Sequence, residues 1–89
     1  MIEQSVVVTN PTGLHARPAA LFVQTASKFK SDITVRCGSR EANAKSVLNV
    51  LTLGAGTGSE IVISANGEDE QEAVAALVAM VQSNMGEAK

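Results

Sequence analysis

Residues 13 to 20, Gly13-Leu14-His15-Ala16-Arg17-Pro18-Ala19-Ala20, set the chain's one histidine and an arginine where a helix begins. Pro18 marks the start, because in a first helical turn its missing N–H costs nothing. From Ala16 to about Lys28 the apolar residues Ala19, Phe22, Val23 and Ala26 recur at i, i+3, i+4 and i+7, which is one buried helical stripe. His15 then stands just outside the helix. It lies beside N–H groups that have no partner within the helix and beside the positive end of its dipole. Arg17 adds a permanent charge whose planar fork suits phosphate or carboxylate, and a neutral imidazole is a nucleophile. The set offers a place to accept and hold a phosphoryl group, with Ala16 and Arg17 supplying the backbone donors. On spacing alone, a loop-end histidine beside a solvated arginine is the stronger reading of a single His-x-Arg.

Outward from this stretch the chain alternates short strands and helices. Ile2 to Val8 places Ile2, Val6 and Val8 on one face and Glu3, Ser5 and Val7 on the other, the pattern of a half-buried strand. Asn10-Pro11-Thr12-Gly13 breaks it. Ile33, Val35 and Cys37 alternate with Thr34 and Arg36, Gly38-Ser39 turns the chain, and Arg40 to Ala44 returns as a more polar strand. Ser46 to Leu53 reads as a second helix with Ser46 as its N-cap, ended by the glycines of Gly54-Ala55-Gly56-Thr57-Gly58. Glu60 to Ala65 is the fourth strand, and Asn66-Gly67 turns the chain again. Asp69 with Glu72 three residues later matches a capping box, Glu68 and Glu70 add charge that suits the dipole, and Val74, Leu77, Val78 and Val81 form the last stripe. Ala75, Ala79 and Gln82 face away from it, and Gly86 to Lys89 is expected to fray. The order β-α-β-β-α-β-α implies one α+β domain over residues 1–89, an antiparallel sheet with helices on one face.

Composition narrows the function. The 89 residues are 45% hydrophobic with two Phe and neither Trp nor Tyr, so Val, Leu, Ile and Ala must build the core and little room is left for a deep pocket. A formal charge of −2 and a pI near 5.2 argue against general binding to nucleic acid or anionic membrane. No basic segment leads into an apolar run and no stretch is long enough to span a bilayer, so export and membrane insertion are not expected. Cys37 has no second cysteine to pair with, which fits a reducing, cytoplasmic setting, and on an inward strand position it reads as a small apolar residue. No metal site is expected from one histidine and one cysteine. Nor is a Ser-His-Asp site, because no acid is placed to orient His15.

Gly13-Leu14-His15-Ala16-Arg17-Pro18-Ala19 resembles the active-site signature of HPr, the histidine-containing phosphocarrier family of the bacterial sugar phosphotransferase system. Lys45-Ser46-Val47-Leu48 followed by Leu53-Gly54 resembles the family's regulatory-serine segment, and Ile63-Ser64-Ala65-Asn66-Gly67-Glu68-Asp69-Glu70 its last strand and turn. The resemblance implies an open-faced β-sandwich with strand order 1-4-2-3 and three helices on one side. It implies phosphorylation of His15 on Nδ1 by enzyme I, and onward transfer to IIA domains of sugar permeases. Arg17 then stabilises the phosphoryl group, and no cofactor is needed. The resemblance therefore reverses the reading of His15 on spacing alone. It also implies regulation at Ser46 by an HPr kinase/phosphorylase and recognition by a catabolite-control transcription regulator. Asn49, Thr57 and the Gly54 to Gly58 run differ from the residues usual in this region, which bears on partner choice.

Leu21 and Gln24 continue from Arg17 along the helix face opposite the apolar stripe. The second helix has more apolar residues than one buried face holds: with Val47, Val50 and Leu51 inward, Leu48 is left outward. Leu21, Gln24, Val47, Leu48 and Leu51 are the expected docking surface of a monomer. Two other readings stay open. A nitrogen-branch phosphocarrier would keep His15 and meet different partners. A small acylphosphatase-like hydrolase would use its arginine in hydrolysis with no second protein. A purely regulatory paralogue fits less well, since such proteins dispense with the histidine.

Overall fold

Strand alternation decides which side of the sheet is dry. In a computed structural model that describes residues 1–11 and 13–83, the elements are β1 (Ile2–Val7), α1 (Ala16–Ala26), β2 (Asp32–Cys37), β3 (Arg40–Asn43), α2 (Val47–Leu51), β4 (Glu60–Asn66) and α3 (Glu70–Gln82). All strand pairs are antiparallel and the sheet order is β1-β4-β2-β3. The register aligns apolar residues in rows: Ile2 faces Ala65 and Ala65 faces Ile33, while Ile63 faces Val35 and Val35 faces Ala42. A slip of one residue in any pair would turn these side chains to water. The opposite face carries Ser5, Val62, Arg36 and Glu41 in one row and Glu3, Ser64, Thr34 and Asn43 in the next. Ser64 Oγ donates to Glu3 Oε2 at 2.9 Å, and Arg36 stands 3.8 Å from the same oxygen. That face stays open and polar.

The helices cover the apolar face with the stripes expected of them. Ala19, Phe22, Val23 and Ala26 of α1 are buried, as are Val74, Leu77, Val78 and Val81 of α3, while Ala75, Ala79 and Gln82 are exposed. Phe22 is fully buried, worth about 1.5–3 kcal/mol by transfer from water. α3 lies across β1 and β4, and α1 packs against both α2 and α3. Cys37 is half-buried against the core.

Boundaries shift where backbone bonds tighten. α1 stops at Ala26 because Lys28 and Phe29 donate three residues back, to Thr25 and Ala26, and not four. α2 is shorter than the expected span for the same reason, with Leu53 donating to Val50 and Gly54 to Leu51. β4 runs one residue further, to Asn66. The expected fraying of Gly86 to Lys89 lies outside the described residues.

The capping box at α3 is not formed. Asp69 occupies the N-cap position, yet its side chain makes no cap bond, and Glu72 is exposed. Its carboxylate accepts instead from the backbone N–H of Lys30 at 2.8 Å and of Ser31 at 2.9 Å, and from the Ser31 hydroxyl. The turn after α1 runs past the start of α3 and presents two adjacent N–H groups that no strand satisfies, and a nearby carboxylate is a stronger acceptor for them than any neutral group. Gly67 allows the close approach, since a Cβ there would lie 2.7 Å from Ser31 Cα. Glu70 reaches back to accept from Gly67 N at 3.1 Å. Hydrogen bonds from Ser31 and Lys30 hold the Asp69 carboxyl below its ordinary value, and the bond from Gly67 does the same for Glu70.

A depressed carboxylate contributes stability that is fully present above its unfolded pKa, about 3.9 for Asp, and is lost as pH falls through the folded value. Asp69→Asn is expected to lower the urea midpoint at pH 7. It should also shrink the further loss seen below about pH 4, leaving the part that belongs to Glu70. Urea titrations of both proteins from pH 7 to pH 2 measure it, and parallel curves would show that Asp69 makes no pH-linked contribution.

Candidate functional site

His15 is the N-cap residue of α1, in an extended conformation (φ −103°, ψ −174°), and its side chain makes no cap bond. Its carbonyl accepts from Ala19 N at 2.7 Å, closing the first turn. Pro18, buried in that turn, has no N–H to offer. The donors left at the helix start are thus those of Ala16 and Arg17, one residue and two beyond the histidine. His15, Ala16 and Arg17 are all exposed, and no acidic residue in the first turn offsets the positive dipole end. Among the described residues Arg17 makes no ion pair. The structure thus brings His15, Ala16 and Arg17 together at one open helix end.

Among the described residues, the segment that leads into His15 has no helix or strand of its own, and its backbone is held by a second loop. Val8 N donates to Ser59 O at 2.8 Å and Gly58 N to Val8 O at 2.7 Å, extending the β1–β4 ladder past both strands. Leu14 N donates to Ala55 O at 2.8 Å. Asn10 and Gly13 bond to each other twice, Asn10 Nδ2 to Gly13 O at 2.8 Å and Gly13 N to Asn10 O at 3.2 Å. Gly13 has φ +65°, and a Cβ on it would lie 2.6 Å from Ala55 O and 2.7 Å from Gly56 Cα. Thr57 Oγ1 lies 2.6 Å from Asn10 O and 3.0 Å from Pro11 O. In sequence the 54–58 run reads as a helix stop and as a departure from the family pattern, and neither reading contains this support. The available signal was Gly13 itself, a glycine before a helix N-cap that needs another backbone against it.

Of the expected docking residues, Leu48 is 77% and Leu21 37% exposed, and Gln24 is exposed. Val47 and Leu51 lean onto the core and are only half-buried, so they present edges of side chains and not whole ones. Leu21 and Leu48 stand on helices that pack on each other. Ser46 caps α2: its Oγ accepts from Asn49 N at 3.4 Å and from Asn49 Nδ2 at 3.2 Å. Asn49, which the sequence marks only as a departure bearing on partner choice, is thus the serine's partner. Two shallow clefts of about 430 and 320 Å³ lie elsewhere, one between β2, β3 and Asn49 and the other around Gly67 and Glu70, and neither is lined by His15 or Arg17. Among the described residues no helix is long and apolar enough to cross a membrane.

Residues 2–83 match the family model described as the PTS HPr component phosphorylation site. The chain belongs to the HPr family. HPr-C-His from Thermoanaerobacter tengcongensis is 49% identical, with a TM-score of 0.96 and full coverage of both chains. The HPr-like protein Crh of Bacillus subtilis strain 168 is 47% identical over 85 residues, 96% of this chain and all of that protein. A crystal structure of Crh, described as a catabolite repression protein with a swapping domain in a dimer, superposes with a TM-score of 0.76 at 48% identity over 94% of this chain and 97% of the other. Strand order and the three helices are those expected from the resemblance to HPr. With a dimer at this level of identity, the monomeric state expected from the sequence does not follow from HPr family membership.

Gly13→Ala is expected to lose about 2 kcal/mol or more of unfolding free energy, from the left-handed backbone together with the collision against backbone. Gly56→Ala, where a Cβ meets nothing within 4 Å, should change it by less than about 0.5 kcal/mol. Urea unfolding of the two variants checks both figures.

Proposed function

We propose that this chain is a phosphoryl carrier of the sugar phosphotransferase system, taking the group from phospho-enzyme I onto Nδ1 of His15 and passing it to IIA domains of sugar permeases. The observation that carries the reading is an exposed histidine at an open helix N-terminus within a chain that matches the HPr phosphorylation-site model. In the transfer, the Nδ1 lone pair of the neutral imidazole forms the new bond to phosphorus while the bond to the donor breaks. The N–H groups of Ala16 and Arg17 and the Arg17 guanidinium hold the oxygens as charge passes between them. The resulting phosphoramidate stays reactive, whereas an ester on serine or threonine would strand the group. Binding must therefore be moderate, because a phosphoryl group held too tightly would leave slowly.

Exposure serves this chemistry, since a carrier must present the same atom to a donor and then to an acceptor. Leu21, Gln24 and Leu48, with the exposed edges of Val47 and Leu51, form the proposed docking surface. The same surface would serve a nitrogen-branch carrier, whose partners differ. An acylphosphatase-like hydrolase is the reading from another class, and it would release phosphate with no second protein. The whole site comes from one helix end, so the transfer needs a single copy whatever the assembly. We place the protein in the cytoplasm with its partner enzymes.

A second role is favoured by the likeness to a catabolite repression protein. Here Ser46 is phosphorylated by an HPr kinase/phosphorylase, and the phosphoserine is read by a catabolite-control transcription regulator. Nearly two added charges beside Leu48 would repel an acidic enzyme I surface.

His15→Ala is expected to take up no acid-labile phosphate from enzyme I and radiolabelled phosphoenolpyruvate, and labelling equal to wild type would refute the carrier reading. Arg17→Ala should slow exchange with enzyme I and a IIA domain with a stability change under about 0.5 kcal/mol, and Arg17→Lys should recover part of the rate. Ser46→Asp should slow His15 labelling without lowering the melting temperature. Unchanged kinetics with a large loss of stability would leave Ser46 as a cap alone.

A further inference from the structure

We infer that Thr57 is a positioning residue for His15, acting through the loop that precedes it; the inference rests on the carrier reading above. Backbone bonds fix the two ends of the 8–14 segment, Val8 to Gly58 and Ser59, and Leu14 to Ala55. The middle is tied by a side chain. The single hydroxyl proton of Thr57 is shared between two successive carbonyls, Asn10 O at 2.6 Å and Pro11 O at 3.0 Å. Asn10 in turn is bonded to Gly13 through both its amide and its carbonyl. Gly13 rests on the Ala55–Gly56 backbone, and His15 is two residues on. A continuous path of bonds therefore runs from Thr57 to the residue that caps α1. Loss of the central tie gives the segment slack between its fixed ends, and that slack is taken up next to the nucleophile.

Thr57 is exposed and packs in no core cluster, so replacing it removes a bond without opening a cavity. Its role is separable from docking, because it belongs to neither α1 nor α2. Misplacement of a reacting group slows the transfer step more than it weakens encounter.

The test uses Thr57→Val, which keeps the shape and removes the donor, and Thr57→Ser, which restores it. Steady-state phosphorylation of the full chain by enzyme I and phosphoenolpyruvate should show kcat for the valine variant reduced about fivefold, the factor by which one hydrogen bond of ordinary net strength shifts an equilibrium, with KM unchanged. Amide hydrogen exchange at Leu14 should quicken by a similar factor. The serine variant should return both to wild type. Wild-type kcat in the valine variant overturns the inference, as does a fall in kcat with Leu14 exchange unchanged, a rise in KM alone, or a serine variant as slow as valine. A wild type that takes no acid-labile phosphate refutes the carrier reading and this role with it. A labelled wild type matched by Thr57→Val refutes only the role of Thr57.

Discussion

Two backbones meet at Gly13 with no room for a Cβ between them. That contact pins the crossing from β1 to α1 against the crossing from α2 to β4. Both crossings meet the same end of the sheet because β1 and β4 are antiparallel neighbours in it. The bonds between Val8 and the 58–59 backbone carry strand pairing beyond the strands themselves. α1 therefore starts from a fixed point, and the direction of its axis, the exposure of its N-cap and the aim of its first-turn donors all follow. A bulkier residue at this one position would have to move one crossing or the other.

The far end of α1 is held differently. An 11-residue helix spans roughly 16 Å at 1.5 Å per residue, and the turn beyond it is gripped by the Asp69 carboxylate at the start of α3. One end of α1 is thus fixed by close backbone contact and the other by a charged acceptor for otherwise unsatisfied donors. The helix between them has little freedom to shift along its axis. That suits the role proposed for His15, which is to meet two partners in the same pose.

Periodicity made the strands and helices legible. The stripes Ala19-Phe22-Val23-Ala26 and Val74-Leu77-Val78-Val81 are buried as spaced, and the surplus of apolar residues in α2 leaves Leu48 outside, where it is exposed. Such patterns report how each segment meets a shared core. What they do not carry is any bond between segments distant in sequence. Asp69 and Glu72 have the spacing of a capping box, but the donors that claimed Asp69 come from residues 30 and 31. Thr57 and the surrounding glycines look like a plain helix stop until the 10–13 loop is set against them. Asn49 has no meaning in isolation and becomes the partner of Ser46 only once α2 is formed. The candidate histidine was readable for a different reason, since its setting at a helix start is local, and the same holds for Arg17.

The strand order has a consequence for how the chain reaches this state. β4 lies between β1 and β2, and Ile2 finds its partner in Ala65. The β2–β3 hairpin, closed from Cys37 to Arg40, can form from local contacts alone. β1, in contrast, has no strand to pair with until nearly three quarters of the chain has been synthesised. On the ribosome the first strand must wait with its edges unpaired while α3, the helix that lies across it, is still to be made, and closure of the sheet bears the loop entropy of that long separation. Closure of this small sheet thus waits on its fourth strand, the last strand to be made and the one that joins both halves.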